Sequence, residues 1–143
     1  MAVAPGKHLD RDRDAMAREF YRRLENGTAA TTRCRECGTT RFPPRERCAT
    51  CDAETEWVDL PREGTLHAFT TQERALRFGA PAVLALVALG DVVVPGILDG
   101  PIEELAIGDE VALKPERVDE LGLSVCRFTT LGARSSRPEQ PPR

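Results

Sequence analysis

Four of the five cysteines fall in two identical pairs, Cys34-x-x-Cys37 and Cys48-x-x-Cys51, ten residues apart. Two thiolates at that spacing wrap one face of an ion through a tight turn, and a second pair completes a tetrahedron. The pattern therefore reads as a structural zinc site of the ribbon type. A rubredoxin-like iron centre would use the same four sulfurs. The competing chemistry is a pair of disulfides in an exported protein, but residues 1–25 are charged rather than apolar and do not read as an export signal. With the fifth cysteine, Cys126, unpaired, the expected location is the cytoplasm. A zinc ion held by four thiolates has no open position for substrate, so a single structural ion is expected.

Other chemistry is sparse. His8 lies in the first stretch and His67 stands alone in a β-rich segment. No nucleophile elbow, phosphate-cradling loop or dinucleotide fingerprint occurs. Cys126 alternates with Ser124 and Phe128 on one face of the final strand, which reads as a small buried residue. The pairs Glu103-Glu104 and Asp119-Glu120 read as solvated loop charges. An independent enzyme would have to work through His67 or Cys126. The stronger expectation is a binding or scaffolding module that is not catalytic by itself.

The elements that must position the cysteines can be read outward from them. Residues 1–9 are expected to be disordered. A helix is expected from Asp10 to Glu25, within a segment 10–27 that Asn26-Gly27 ends. Met16, Phe20 and Leu24 repeat every four residues along it, beside Ala17 and Tyr21, and form one apolar stripe. That stripe either caps the chain's own core or docks on a partner. Phe20, Leu24, Phe42 and Trp57 are the candidate partner contacts, with Trp57 also expected to pack at the ribbon junction. The ribbon spans 28–62, and Pro43-Pro44 keep the stretch between the cysteine pairs extended.

From residue 63 to 132 the chain reads as strands separated by turns. They are Gly64–Glu73, Ala82–Leu89, Val92–Leu98, Val111–Lys114 and Leu123–Thr130. Gly90-Asp91 is a hairpin turn, a loop covers 74–80, and Ile102–Ala106 is a short helical turn. Pro95-Gly96 suggests a bulge or an edge position. Five strands in this rhythm suggest a small Greek-key barrel of the OB type, with an SH3-like barrel as its competitor. Ala82–Leu89 is apolar on both faces, so a helix, a loop or a partner must cover its outer side. Residues 133–143 are expected to be a disordered tail. The longest apolar run, Pro81 to Leu89, is half of the ~18 residues a membrane span needs.

Charge helps to sort the partners. The net charge is −3, but residues 64–130 carry five basic and ten acidic side chains. Oligonucleotide-binding barrels need a basic groove with stacking platforms. Here the barrel is acidic and only 5% of all residues are aromatic. Single-stranded nucleic acid is thus the alternative partner, disfavoured by electrostatics.

One set of residues points further. Leu24-Glu25-Asn26-Gly27 is followed by Cys34-Arg-Glu-Cys37-Gly38, Phe42-Pro43-Pro44-Arg45, Cys48-Ala-Thr-Cys51, Trp57, Glu63-Gly64-Thr65-Leu66 and Ile107-Gly108-Asp109-Glu110-Val111. Over residues 15–130 the chain resembles the zinc-ribbon OB-fold proteins of the DUF35 family, which occur beside thiolases and other acyl-CoA enzymes. The resemblance implies a rubredoxin-like ribbon joined to an OB barrel in a mainly β chain, with all four cysteines as metal ligands. It implies an accessory subunit of a thiolase-like or retro-aldolase partner, in a hetero-oligomer such as a heterotetramer. The partner would carry the reaction and this subunit would help to hold the acyl-CoA. Guanidinium forks suit the phosphates of CoA, and Arg41, Arg45 and Arg47 are the candidates.

Overall fold

The computed structural model describes residues 11–72 and 82–131. The expected disorder at 1–9 and 133–143, His8, and the loop at 74–80 lie outside these residues.

Helix α1 runs Arg11–Glu25. The Gly27 N–H donates to the Leu24 carbonyl at 2.9 Å and the Thr28 N–H to the Arg23 carbonyl at 3.1 Å. Gly27 takes φ 92°, the left-handed geometry that this double closure needs and that glycine adopts without a Cβ penalty. The apolar stripe of α1 turns inward. Phe20 is 7% exposed and Leu24 is 0% exposed, and both join the same core as the barrel residues. In the chain taken alone, these two side chains are covered rather than on the surface. The helix packs chiefly on Ala30–Cys34 and Leu123–Val125, and its stripe joins a core cluster that includes barrel residues.

Three short strands make the ribbon: β1 (Ala30–Cys34), β2 (Thr40–Arg41) and β3 (Thr55–Asp59), antiparallel in the order β2-β1-β3. Two buried threonines on β1 hold the segment that follows β2. The Thr31 hydroxyl donates to the Arg41 carbonyl, and the Thr32 hydroxyl accepts the Arg45 N–H at 2.9 Å. That segment is not helical; it bends at Phe42-Pro43 and at Glu46, and its Phe42–Pro43 peptide bond is cis.

The barrel is formed by β4 (Glu63–Gln72), β5 (Ala82–Leu89), β6 (Val92–Leu98), β7 (Glu110–Leu113) and, after the β8–β9 hairpin described next, β10 (Arg127–Thr130). It closes in the order β10-β6-β5-β4-β7. Every pairing is antiparallel except β6 with β10, so the connectivity is a Greek key and not a meander. Leu66, Val87, Val94, Val111, Leu113 and Phe128 fill the interior, each at most 1% exposed. The expected hairpin at Gly90-Asp91 is present, pairing Leu89 with Val92, and Ile102–Glu104 forms a 3-10 turn.

Two local readings change. Leu123–Thr130 is not one strand: β9 (Leu123–Val125) pairs with β8 (Glu116–Val118), and β10 begins after Cys126. The Cys126 carbonyl accepts the Ile97 N–H at 3.0 Å, and there the chain leaves the hairpin for the barrel. Pro95-Gly96 makes no bulge, since its register with Leu86 and Ala85 is continuous. Pairing between β6 and β10 begins at Ile97, so Pro95 lies where β6 is paired on its β5 side. The bulge sits in β4 between Leu66 and Ala68. Gly96 is required by close packing: a Cβ there would lie 2.4 Å from the Phe128 ring. Turn Ala106–Asp109 clamps the bulge, because the Gly108 N–H donates to the Leu66 carbonyl and the Leu66 N–H to the Asp109 carbonyl, both at 2.8 Å. Among the described residues no helix is long and apolar enough to cross a membrane.

Candidate metal centre

The two cysteine pairs sit on two copies of one backbone turn. In the first, the Gly38 N–H donates to the Cys34 carbonyl at 3.1 Å and the Cys34 N–H to the Thr39 carbonyl at 2.9 Å. In the second, the Asp52 N–H donates to the Cys48 carbonyl and the Cys48 N–H to the Ala53 carbonyl, both at 2.9 Å. Each turn closes through a residue at positive φ, Gly38 at 75° and Asp52 at 60°. Aspartate is among the few residues other than glycine that tolerate this region.

This backbone aims amide N–H groups at sulfur. Cys34 Sγ accepts from Glu36 and Cys37, each at 3.3 Å, and Cys48 Sγ accepts from Thr50 at 3.4 Å. Across the turns, Cys34 Sγ lies 3.3 Å from Cys51 Sγ and Cys37 Sγ lies 3.7 Å from Cys48 Sγ. All four sulfurs fall within 4.8 Å of one another. A tetrahedron with metal–sulfur bonds near 2.3 Å has edges of about 3.8 Å, so the four thiolates fit one ion.

The sulfurs also share protons unequally. The Cys51 and Thr50 amides bring the Cys48 thiol down to about 6. Cys37 is lowered by the hydroxyl and then the backbone of Thr39. Cys51 is pushed up to about 12: the Ala53 amide lowers it, but the Cys34 sulfur, burial and the other two sulfurs outweigh that. A cation at the centre would relieve this crowding of negative charge, and its binding must release protons.

The remaining sequence-derived candidates divide. The Arg41 guanidinium bonds Thr50 Oγ1 at 2.5 Å and the Arg47 guanidinium bonds Asp52 Oδ1 at 3.2 Å, so both are tied back onto the second turn. Arg45 is anchored through its backbone, which leaves its exposed guanidinium to project from the segment. Phe42 is half-buried, edge-to-face on Phe20 at 5.5 Å. Trp57 is half-buried beneath the Arg23 guanidinium, 4.9 Å from its ring, as expected of a junction residue. His67 is exposed on β4. Burial pushes the Cys126 thiol up to about 12, which makes it a poor nucleophile.

One feature had only an indirect signal in the sequence. Helix α1, the segment after β2 and the face of β4–β6 enclose a groove of about 1650 Å³. Its walls include Met16, Tyr21, Phe42, Leu84, Leu86 and Pro95, with Arg45 and Arg47 at the ribbon side. The doubly apolar sequence of β5 is its trace: Val83, Ala85, Val87 and Leu89 point into the core, whereas Leu86 stays 41% exposed on the groove side. A typical small-molecule pocket is about 300–1,000 Å³, so this volume is large for one compact ligand.

Residues 31–57 match the model of the rubredoxin-like zinc ribbon domain of ChsH2, and residues 57–114 match that of the ChsH2 C-terminal OB-fold domain. A DUF35 domain-containing scaffold protein of Methanocaldococcus jannaschii is 30% identical over 118 residues, which cover 77% of this chain and 84% of that protein. The chain belongs to the DUF35 family. Cys34, Cys37, Cys48 and Cys51 are thus the cysteines of a zinc ribbon domain, positioned to bind a metal ion, and the Greek-key barrel is an OB fold rather than an SH3-like one. Two solved structures share this DUF35 fold. A chain of the Ltp2-ChsH2(DUF35) aldolase superposes with a TM-score of 0.71 at 23% identity, over 79% of this chain and 92% of that one. A DUF35-family protein of unknown function from Sulfolobus solfataricus gives 0.58 at 15% identity, over 80% and 84%.

Proposed function

We propose that this DUF35 chain is a non-catalytic accessory subunit of a thiolase-like complex, of thiolase or retro-aldolase type, acting on an acyl-CoA thioester. The observation that carries the proposal is that the best-built site in the chain is closed to substrate. Four sulfurs converge on one point and leave an ion no position for a reactant. Elsewhere among the described residues, the two side chains an enzyme would need are ill-suited: Cys126 is buried and held protonated, and His67 is exposed on a strand. Support also comes from the relative named as a scaffold protein and from the fold shared with the DUF35 component of an aldolase.

In this reading the partner performs carbon–carbon bond formation or cleavage, in steroid side-chain, β-oxidation-like or polyketide-type metabolism. The DUF35 chain organises the hetero-oligomer, such as a heterotetramer in the cytoplasm, around one structural zinc ion. Residues 28–62 act as the ribbon unit and 63–132 as the barrel unit. Arg41, Arg45 and Arg47 help to hold the CoA phosphates, with Arg45 the least committed to internal contacts. Half-buried Phe42 and Trp57 border the contact with the partner.

The test is mild affinity purification of the chain from its native cells, followed by mass spectrometry of what accompanies it. A stoichiometric thiolase-like protein is the expected result. Recovery of RNA, ribosomal proteins or polymerase in its place would replace this reading with a nucleic-acid one.

A further inference from the structure

We propose that Cys37 and Cys51 form a peroxide-reactive modification site, each closing onto the buried sulfur of the opposite turn and releasing the ribbon's ion. This goes beyond the scaffold role and does not depend on it.

The four ligands are not equivalent. Cys34 and Cys48 are buried, whereas Cys37 and Cys51 are exposed. One thiolate of each pair therefore meets solvent oxidants while the other is shielded beneath its turn. The geometry also provides for the second step. Cys51 Sγ lies 3.3 Å from Cys34 Sγ, and Cys37 Sγ lies 3.7 Å from Cys48 Sγ, so each exposed sulfur has a buried resolving sulfur from the other turn at contact distance.

The chemistry balances with peroxide as the oxidant. In the zinc-loaded chain the four ligands would be deprotonated; the Cys51 sulfur attacks one peroxide oxygen, the O–O bond breaks, and a sulfenic acid and one hydroxide result. The Cys34 thiolate then attacks the sulfenic sulfur, forming the S–S bond and expelling a second hydroxide. Each disulfide thus takes two electrons from sulfur and reduces one hydrogen peroxide to two hydroxides. Cys37 and Cys48 repeat the sequence. With its four thiolates consumed, the site holds no cation.

The chain carries its own control. Cys126 is buried in the same core as Phe128 at the edge of the groove, less accessible than Cys37 and Cys51. Its oxidation should be slower than that of the exposed pair, since attack requires an accessible thiolate.

The experiment treats the full zinc-loaded chain with hydrogen peroxide and follows zinc release with a chromogenic chelator. Tryptic mapping with fragmentation between Cys48 and Cys51 then reads the linkage. Cleavage after Arg35 separates Cys34 from Cys37, whereas Cys48 and Cys51 share one peptide. Cross-turn bonds therefore join three peptides into one species. The expected result is loss of the single zinc, that three-peptide species, and recovery of zinc binding after dithiothreitol. Cys126→Ser should release zinc at the wild-type rate. Retention of zinc at a hundredfold excess of peroxide overturns the proposal. So do bonds confined to Cys34–Cys37 and Cys48–Cys51, or a Cys126→Ser chain that no longer responds.

Discussion

Between Ala30 and Asp59 the fully buried side chains are small, Ala30, Thr31 and Cys34, with Thr32, Pro44 and Cys48 nearly as buried. Between Glu63 and Thr130 they are Leu66, Val87, Leu89, Val94, Val111, Leu113 and Phe128. The barrel follows the ordinary rule that apolar area removed from water stabilises a fold. The ribbon has too little such area and substitutes a cross-link through an ion. Helix α1 serves both regions: Leu24 and Phe20 join the barrel's core cluster, and the Arg23 guanidinium covers Trp57 on the ribbon. The difference teaches that one chain can hold two stability regimes when a shared helix lets the weaker unit lean on the stronger.

That comparison can be broken first at the metal. Cys34→Ser or Cys51→Ser should abolish zinc binding and unfold the ribbon while the barrel persists. Structural zinc contributes on the order of 10 kcal/mol to small ribbons. Zinc content and hydrogen exchange read the two regions separately, and stoichiometric zinc with a protected ribbon in either variant would refute the four-ligand assignment. Phe128→Ala should cost the barrel about 3–5 kcal/mol in chemical denaturation. Gly96→Ala should also destabilise it, because the new methyl meets the Phe128 ring and the Cys126 carbonyl. If Phe128→Ala melted the ribbon alone, the division of labour would be wrong.

Leu24→Ala tests the shared helix. It should lower stability by about 2–5 kcal/mol and loosen ribbon and barrel together. An unchanged denaturation midpoint would return Leu24 to the partner surface. Arg45→Glu should leave stability within about 0.5 kcal/mol, since the side chain is exposed, yet weaken acyl-CoA binding by the assembled complex in calorimetry. Unchanged affinity would remove Arg45 from the CoA site.

The smallest effect concerns Glu19, which hydrogen bonds to Arg22 and Arg23 bring down to about 2. A lowered carboxyl stabilises the folded state above its ordinary value of 4.5 and loses that contribution as pH falls toward 2. The gap in melting temperature between wild type and Glu19→Gln should therefore shrink between pH 6 and pH 3. A constant gap would show that the carboxylate's charge is not what matters.

How much of this was legible follows from how local each signal is. Cys34 and Cys37 fix their own turn within four residues, and Gly90-Asp91 fixes its hairpin within two. The stripe of α1 shows in its four-residue repeat, but its direction does not, because the core it joins includes residues far along the chain. Gly96 looked like a strand defect, because the ring that demands it belongs to Phe128. The break at Cys126 was hidden by an unbroken β-rich sequence and exists because the strand changes partners. The groove was legible only as an unexplained second apolar face on β5.

Barrel closure also dictates an order of events during synthesis. The strand that seals the barrel, β10, pairs with β6 some thirty residues earlier and with β7, and it emerges after every other strand. Helix α1 and the ribbon leave the ribosome well before it. Until Arg127–Thr130 is available, Phe20 and Leu24 have no completed core to enter, and the nascent chain carries an exposed apolar helix beside four reactive thiols. Prompt metal capture by the ribbon would shorten the interval in which that intermediate can aggregate.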